Sequence, residues 1–396
     1  MDDKIKISVT GCCLVDRLYN NISFTDPEFL PYLSKRRGDG GLTPGQLVFK
    51  EEFEHFCGEK FSTVLNKITK GKEPDKVNLG GPGVVPLIHA KQMLESTVAE
   101  CNFYGTGGND HDGNYILSVL KQMKLPVENY HLSGKTTPST IVLSDPNYDN
   151  GHGERIFINS IEAAWDFGPE KLDRGFFSSH VAVFGGTALV PKIHDNLNEL
   201  LAKAKAAGSI TVVNTVYDFR NEKSNPDKKW PLGKTDESYR YTDLLITDYE
   251  EALRLSGKES VVDAIKYFRV AGTGAAIITN GPKNVVGFSK EGTVFGEISD
   301  LDLPVSREIS GELKKGFPGD TTGCGDNFAG GVIASLASQL QKGDDQVDLK
   351  EACALGIVSG GFSCFYIGGT YFEKYRGEKL ELLMPYLKNY KKQIGI

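Results

Sequence analysis

Short runs of consecutive apolar residues recur through the second half of the chain. Residues 181–186 (VAVFGG), 210–214 (ITVVN), 244–248 (LLITD) and 275–280 (AAIITN) each end in Gly, Asn, Asp or Thr. They follow one another at roughly thirty-residue intervals, the beat of βαβ units. The runs are continuous rather than alternating, which predicts strands of a parallel sheet covered on both faces. Helical stretches fall between them. One spans 191–207, with Pro191 at its start and Gly208 closing it. Another begins at Ser260, has Asp263 three residues on, and stops at Gly272.

The first half has a different pattern. Residues 4–11 form one strand-like run, followed by a long segment over about 20–76 that contains GDGG at 38–41 and Pro44–Gly45. Within it, 51–68 has helical character. Further on, 139–144 (STIVLS) and 155–159 (RIFIN) flank the polar turn 145–151 (DPNYDNG), which predicts a hairpin. A small β subdomain projecting from an α/β body fits this order. No internal repeat or low-complexity tract interrupts it.

Residues 316–340 carry the strongest chemical signal. Apolar residues at Phe328, Val332, Ile333, Leu336, Ala337 and Leu340 have helical spacing with one buried face. The glycine pair Gly323 and Gly325 therefore sits at a helix N-terminus, with Asp326 in the first turn. Free N–H groups and the positive end of the helix dipole make such a turn an anion site. A carboxylate beside it can accept a proton from a hydroxyl while the amides stabilise a phosphoryl group in transfer. The bland alternative is a dipole-complementing Asp after a glycine turn, which is common.

Composition narrows the field. The 396 residues are 39% hydrophobic, enough for a full core, and suggest one large domain or two smaller ones. A net charge of −7 leaves no basic footprint for nucleic acid. The seven cysteines are odd in number and contain no C-x-x-C pair, which argues against a disulfide framework or a structural zinc site. No window approaches the about 18 apolar residues of a membrane span, and the charged start lacks an apolar leader, so a cytoplasmic protein without a membrane partner is expected. Other phosphate-binding motifs fail. Both Gly-Lys-Thr triplets, at 134–136 and 233–235, have Asn129 or Lys228 where a Walker A motif needs its first Gly. No G-x-G-x-x-G follows a strand.

The stretch 320–331 (DTTGCGDNFAGG) resembles the C-terminal signature of the PfkB (ribokinase-like) carbohydrate and nucleoside kinases, usually D-T-x-G-A-G-D. The resemblance implies Asp326 as catalytic base and the amides of Gly323, Cys324 and Gly325 as the anion hole, with Cys324 replacing the usual small residue. Weaker matches follow the family's order over about residues 5 to 370. Residues 9–16 (VTGCCLVD) are similar to its opening strand, which implies that Asp16 binds substrate hydroxyls. Gly80 and Gly81, in 80–83 (GGPG), are similar to its early Gly-Gly motif, where backbone lies against substrate and hinges the lid. Residues 105–113 (GTGGNDHDG) resemble another family motif, and 153–157 (GERIF) its lid strand. In 245–252 (LITDYEEA), Glu251 and Asp248 correspond to the N-x-x-E pair that acts on Mg²⁺, with Asp248 in place of Asn. Thr279 and Gly281 resemble the turn that contacts the nucleotide, and the resemblance implies that Asp320 and Thr321 belong to the same ATP-binding surface.

The implied architecture is a doubly wound, mostly parallel α/β sheet forming one domain over 1–396, with a small β lid drawn from parts of 17–79 and 130–165. The implied reaction is transfer of the γ-phosphoryl group of ATP to a hydroxyl of a sugar or sugar-like molecule. Mg²⁺ is the expected cofactor, and a monovalent cation such as K⁺, common in the family, would sit near Asp320 and Thr322. Two departures keep other readings open. Val84 and Val85 stand where an Asn that touches substrate is usual. The long segment with GLTPGQ at 41–46 is more similar to the adenosine-kinase branch. A nucleoside kinase and a catalytically silent binding homologue therefore remain alternatives. A lid hairpin with one apolar face also offers a surface for a homodimer. The segment 368–375 (GGTYFEKY) matches no pattern, and no residues around an adenine ring can be assigned.

Overall fold

The computed structural model describes residues 4–396 apart from 37, 95–97, 152, 317–318 and 345, and apart from the side chains of 150 and 151. Its strands, in chain order, are β1 (Ile5–Gly11), β2 (Leu14–Tyr19), β3 (Leu47–Phe49), β4 (Lys76–Gly80), β5 (Ala99–Gly108), β6 (Tyr130–Ser133), β7 (Ser139–Asp145), β8 (Glu154–Ser160), β9 (Val181–Gly185), β10 (Ile210–Asn214), β11 (Leu244–Asp248), β12 (Ala275–Thr279), β13 (Val285–Ser289) and β14 (Ile298–Leu303). Nine of them make one sheet in the order β14-β13-β12-β11-β10-β9-β1-β5-β6. The run from β12 to β6 is parallel, and β13 and β14 add an antiparallel edge. The mostly parallel, doubly wound sheet predicted from the apolar runs is present.

Both faces of this sheet are buried. Val181 and Val183 of β9 enter one hydrophobic cluster, while Ala182 and Phe184 enter another on the opposite face. The first cluster is closed by helices Val84–Met93, Cys324–Lys342, Leu349–Ser363 and Glu378–Ile394. Helix Cys324–Lys342 is central in that layer. It is buried on nearly all sides, including Ala329, Ala334 and Ser335, rather than on the single face its apolar spacing suggests. Its small residues let neighbouring helices approach where a one-faced helix would meet water. Helix Val261–Ala271 follows expectation: the Ser260 side chain accepts from Asp263 N, and Gly272 ends it at φ 113°. Two other predicted helices are broken. The 51–68 stretch becomes Lys50–Cys57 and Phe61–Ile68, separated where Gly58 takes φ 70°, and 191–207 divides at Asn196.

The second sheet has five strands in the order β3-β8-β7-β2-β4. The predicted hairpin is β7 paired with β8, its turn holding a short helix, Tyr148–Gly151. Of the 130–165 region from which the lid was to be drawn, residues 130–133 pair with β5 at the edge of the large sheet, and β7 and β8 lie in the small one. Alternation assigns the two faces of the small sheet. Ile141, Leu143, Ile156 and Ile158 pack with Phe53, Val64 and Ile68 of the two helices after β3. The apolar face expected to be free for pairing with a second copy is thus covered by the chain's own helices. The other face carries Asp16, Thr140, Arg155, Phe157 and Asn159 and looks into a cavity. Among the described residues, no helix is long and apolar enough to cross a membrane.

The floor of that cavity depends on close backbone approach at the carboxyl ends of the central strands. Gly11 ends β1 at φ 143°, and a Cβ there would lie 1.7 Å from Gly185 O. Gly11→Ala is therefore expected to cost about 3 kcal/mol or more, from strain and displacement of β9 together. A urea titration should show a lower midpoint with an unchanged slope.

Candidate active site

The cavity has a volume of about 400 Å³ and lies between the two sheets, over the carboxyl ends of the parallel strands. This is where an open α/β sheet offers side chains and helix N-termini to a ligand. Asp16 reaches it from β2. Gly80 of β4, which pairs with Leu14, leaves the room, since a Cβ there would sit 1.9 Å from Asp16 Oδ2. Gly81 is on the cavity wall, whereas Gly80 lies behind Asp16. Asp326 faces the same space from the first turn of helix Cys324–Lys342, whose cap residue Gly323 is left-handed at φ 77°.

Burial dominates the electrostatics of both acids. It pushes Asp326 up to about 7, although the carboxyl keeps a face toward the cavity. It pushes Asp16 up to about 8, with the Asp326 charge adding to the shift and a hydrogen bond from Thr140 opposing it. Two carboxyls directed at one cavity fit a site where one binds hydroxyls and the other accepts a proton.

Asp248 and Glu251 stand on another wall. Asp248 caps helix Tyr249–Ser256 by accepting from Glu251 N at 2.8 Å. Glu251 accepts from the Thr215 hydroxyl, with Thr247 Oγ1 at 3.4 Å. Burial and the neighbouring Asp248 raise Glu251 above the usual carboxylate range.

A second, mostly apolar pocket of about 380 Å³ adjoins the first. Val285, Val305, Ile309, Leu313, Phe328 and Ile357 supply its apolar wall, and Gly281 lies on its rim. The two cavities share Thr279, Thr321, Cys324 and Gly325. The helix N-terminus is therefore the junction between them. Cys324 fits there by turning its thiol toward Cys364 Sγ, 3.2 Å away, and the Ser363 hydroxyl.

The sequence pattern of the pfkB family carbohydrate kinases matches residues 79–374. The chain belongs to this family. The kinase is 26% identical to a fructokinase of Vibrio alginolyticus over 239 residues, 59% of this chain and 70% of that protein. Its fold is similar to an adenosine kinase from Sinorhizobium meliloti, with a TM-score of 0.68, 16% identity, and coverage of 96% of this chain and 99% of that one. It is also similar to a ribokinase from Thermotoga maritima, with a TM-score of 0.62, 18% identity, and coverage of 97% and 100%. It is thus a phosphotransferase of the carbohydrate-kinase class.

Most residues singled out from the sequence meet at this kinase's two cavities: Asp16, Gly81, Asp248, Glu251, Thr279, Gly281, Thr321 and Gly323 through Asp326. Asp320 lies off both walls. Its Oδ1 accepts from Thr322 N at 2.9 Å and from Gly368 N at 3.4 Å, so it shapes the turn that precedes the glycines. Val84 and Val85 are buried in helix Val84–Met93 and do not reach the cavity.

Other cavity residues were not anticipated. Arg155 extends from β8 and donates to Thr322 Oγ1 at 3.0 Å, linking the small sheet to the signature turn. Asn159 and Asn214 are buried, line the cavity, and each leaves its Oδ1 without a protein partner. A buried amide oxygen in a cavity wall is suited to receive a ligand hydroxyl. The alternation of Arg155, Phe157 and Asn159 against Ile156 and Ile158 is the sequence signal that assigns them to one face. The apolar pocket had no such signal, because separate elements contribute one or two residues each.

The raised carboxyl of Asp16 has a consequence for stability. Its proton is held more tightly in the folded chain than in the unfolded one, where the ordinary carboxylate value applies. Its contribution is therefore favourable at low pH and is lost as pH rises through about 8. Asp16→Asn is expected to stabilise the fold by on the order of 2 kcal/mol near pH 8.5 and by little near pH 4. Thermal melts at the two pH values should show that difference.

Proposed function

We propose that this kinase moves the γ-phosphoryl group of ATP to a hydroxyl of a sugar or sugar-like small molecule, with Asp326 as general base. One observation carries the reading: an acceptor-sized polar cavity and an apolar pocket meet at a helix N-terminus, with Asp326 on the polar side. The nucleotide base would occupy the apolar pocket beside Thr279 and Gly281. The phosphates would then reach the amides of Gly323, Cys324 and Gly325. The acceptor would lie against Gly81 and bind Asp16, Asn159 and Asn214.

In the transfer, Asp326 takes the proton of the acceptor hydroxyl as its oxygen bonds to the γ-phosphorus. The bond from that phosphorus to the β–γ bridging oxygen breaks, and ADP leaves. The amides at the helix N-terminus stabilise the charge spread over the transferring group. Glu251 and Asp248 bring two carboxylates to one wall, a donor set suited to Mg²⁺, which retains waters and takes few carboxylates. Mg²⁺ neutralises phosphate charge when bound. The turn held by Asp320 and Thr322 is the place for a monovalent cation such as K⁺. The five-stranded sheet acts as the lid, with Arg155 joining it to the anion site and excluding water.

A nucleoside acceptor is the second reading, supported by the aromatic wall of Phe157, Tyr217 and Phe219 in the same cavity. An ADP-release screen over sugars and nucleosides separates the readings. Turnover with ribosides alone favours the nucleoside, and binding without any turnover removes the catalytic assignment. Asp326→Asn is expected to keep ATP affinity within about threefold while lowering kcat by roughly 10²–10⁴-fold. Near wild-type turnover in that variant would sink Asp326 as the base. Because the base must be ionised, kcat/KM of the unaltered kinase should fall as pH drops below about 7.

A further inference from the structure

Asn327, the residue after the proposed base, is fully buried and bonded at both ends of its side chain. Its Nδ2 donates to Gly323 O at 2.8 Å and to Gly369 O at 2.9 Å. Its Oδ1 accepts from Lys379 Nζ at 2.8 Å and from the Tyr366 hydroxyl at 3.1 Å. Its backbone N–H also donates to Gly323 O, at 2.9 Å. Gly323 O is thus fixed by two bonds from one residue. A peptide is planar and trans, so a carbonyl held toward the helix interior turns the N–H of the same peptide outward. That N–H belongs to Cys324, the first donor of the anion site. It makes only a long contact with Thr321 O, at 3.3 Å, which a phosphoryl oxygen can displace.

Lys379 is an unusual partner for this task. It is 1% exposed and lies in the first turn of helix Glu378–Ile394, where the helix dipole disfavours a cation. Its Nζ lies 5.4 Å and 5.7 Å from the ring centroids of Tyr366 and Tyr371. Burial pushes the amine's pKa down, and burial with the nearby Lys379 does the same to His89. Protonated or neutral, the amine presents an N–H to Asn327 Oδ1. Were Lys379 apolar, Asn327 Oδ1 would lose the shorter of the two bonds it accepts from Lys379 and Tyr366.

We infer that Lys379 is a positioning residue for phosphoryl transfer, acting through Asn327 to set the Gly323–Cys324 peptide that opens the anion hole. The inference rests on the kinase reading above. It also gives Gly369, in the 368–375 segment that matched no sequence pattern, a part as an acceptor from Asn327. Lys379 touches neither cavity, so its effect must appear in anion stabilisation rather than in acceptor binding.

The test uses the full chain with Lys379→Met, Lys379→Gln, Asn327→Ala and the Met/Ala double variant. Lys379→Met is expected to lower kcat by roughly 10–100-fold with acceptor KM within about threefold. Its melting temperature should not fall, since a buried amine is replaced by an apolar chain of similar length. Calorimetry with ADP, Mg²⁺ and beryllium fluoride, a phosphoryl mimic, should show about tenfold weaker binding, with ADP alone unchanged. Lys379→Gln keeps an N–H donor and should recover most of kcat. The double variant should be no slower than the slower single one, because both changes act on one peptide.

Wild-type kcat and wild-type fluoride binding in Lys379→Met overturn the inference. So do multiplicative losses in the double variant, or a loss that merely tracks lowered melting. If the Met variant does not fold, Lys379→Gln decides: with wild-type melting, kcat more than tenfold down overturns the role and near wild-type kcat supports it. Failure of the unaltered chain to phosphorylate any sugar or nucleoside removes the kinase reading instead. The fluoride-binding ratio still reports on Lys379 in that case.

Discussion

The left-handed turn at Gly323 is the constraint on which the site depends. A helix that begins beside a cavity leaves its first N–H groups without intrahelical partners. Burial makes an unpaired donor costly unless a ligand or a polar cavity receives it. Here the turn aims those donors at the junction of a polar and an apolar cavity. A Cβ at Gly323 would press to 2.4 Å from Gly369 Cα, so glycine is required by crowding as well as by φ. The 19-residue helix behind the turn is locked by neighbours on nearly every side. The anion site is therefore as rigid as the core that carries it, which is the form of preorganisation that phosphoryl transfer uses.

The same burial that fixes the donors raises the acids beside them. Asp16 and Asp326 share one cavity, and each is harder to ionise than a solvent-exposed carboxyl. For Asp326 as the proposed base the shift is useful, because a base poised near 7 both accepts and releases a proton readily. For Asp16 it favours a protonated or hydroxyl-bonded form, suited to holding an acceptor. In the proposed reaction, burial raises both the carboxyl that binds and the carboxyl that reacts, and the Asp326 charge adds to the shift of Asp16.

Much of this was legible in the sequence where the signal is local. Apolar runs at 181–186, 210–214, 244–248 and 275–280 became β9 through β12, since a strand buried on both faces needs no partner to be recognised. DTTGCGD placed Gly323 and Asp326 at a helix start because the turn and the helix period are adjacent in the chain. Breaks at Gly58 and Asn196 were missed, because tertiary packing decided where helices of marginal length divide. Asp320 was expected on the nucleotide surface; its carboxylate also accepts bonds within the turn, from Thr322 and Gly368, which the motif does not show. Contacts spanning the chain left no local trace. Arg155 meets Thr322 across 167 positions, and Lys379 meets Asn327 across 52.

Residues 367–370 show how those distant contacts are kept in register. Asn78 of β4 donates to the carbonyls of Ile367 and Thr370, and the Thr370 hydroxyl donates to Leu79 O. β4 in turn pairs with β2, placing Asn78 opposite Asp16. On the other side, the Gly369 carbonyl accepts from Asn327, which fixes the Gly323 peptide. One short loop therefore touches the strand that backs the acceptor carboxyl and the side chain that orients the anion site. The two halves of the proposed reaction arise from segments about 300 residues apart in sequence, and in-line transfer needs them held to a fraction of an ångström. Both segments are hydrogen-bonded to this loop, which ties one to the other. A glycine-rich connection serves here because its backbone must approach β4 on one face and the helix start on the other.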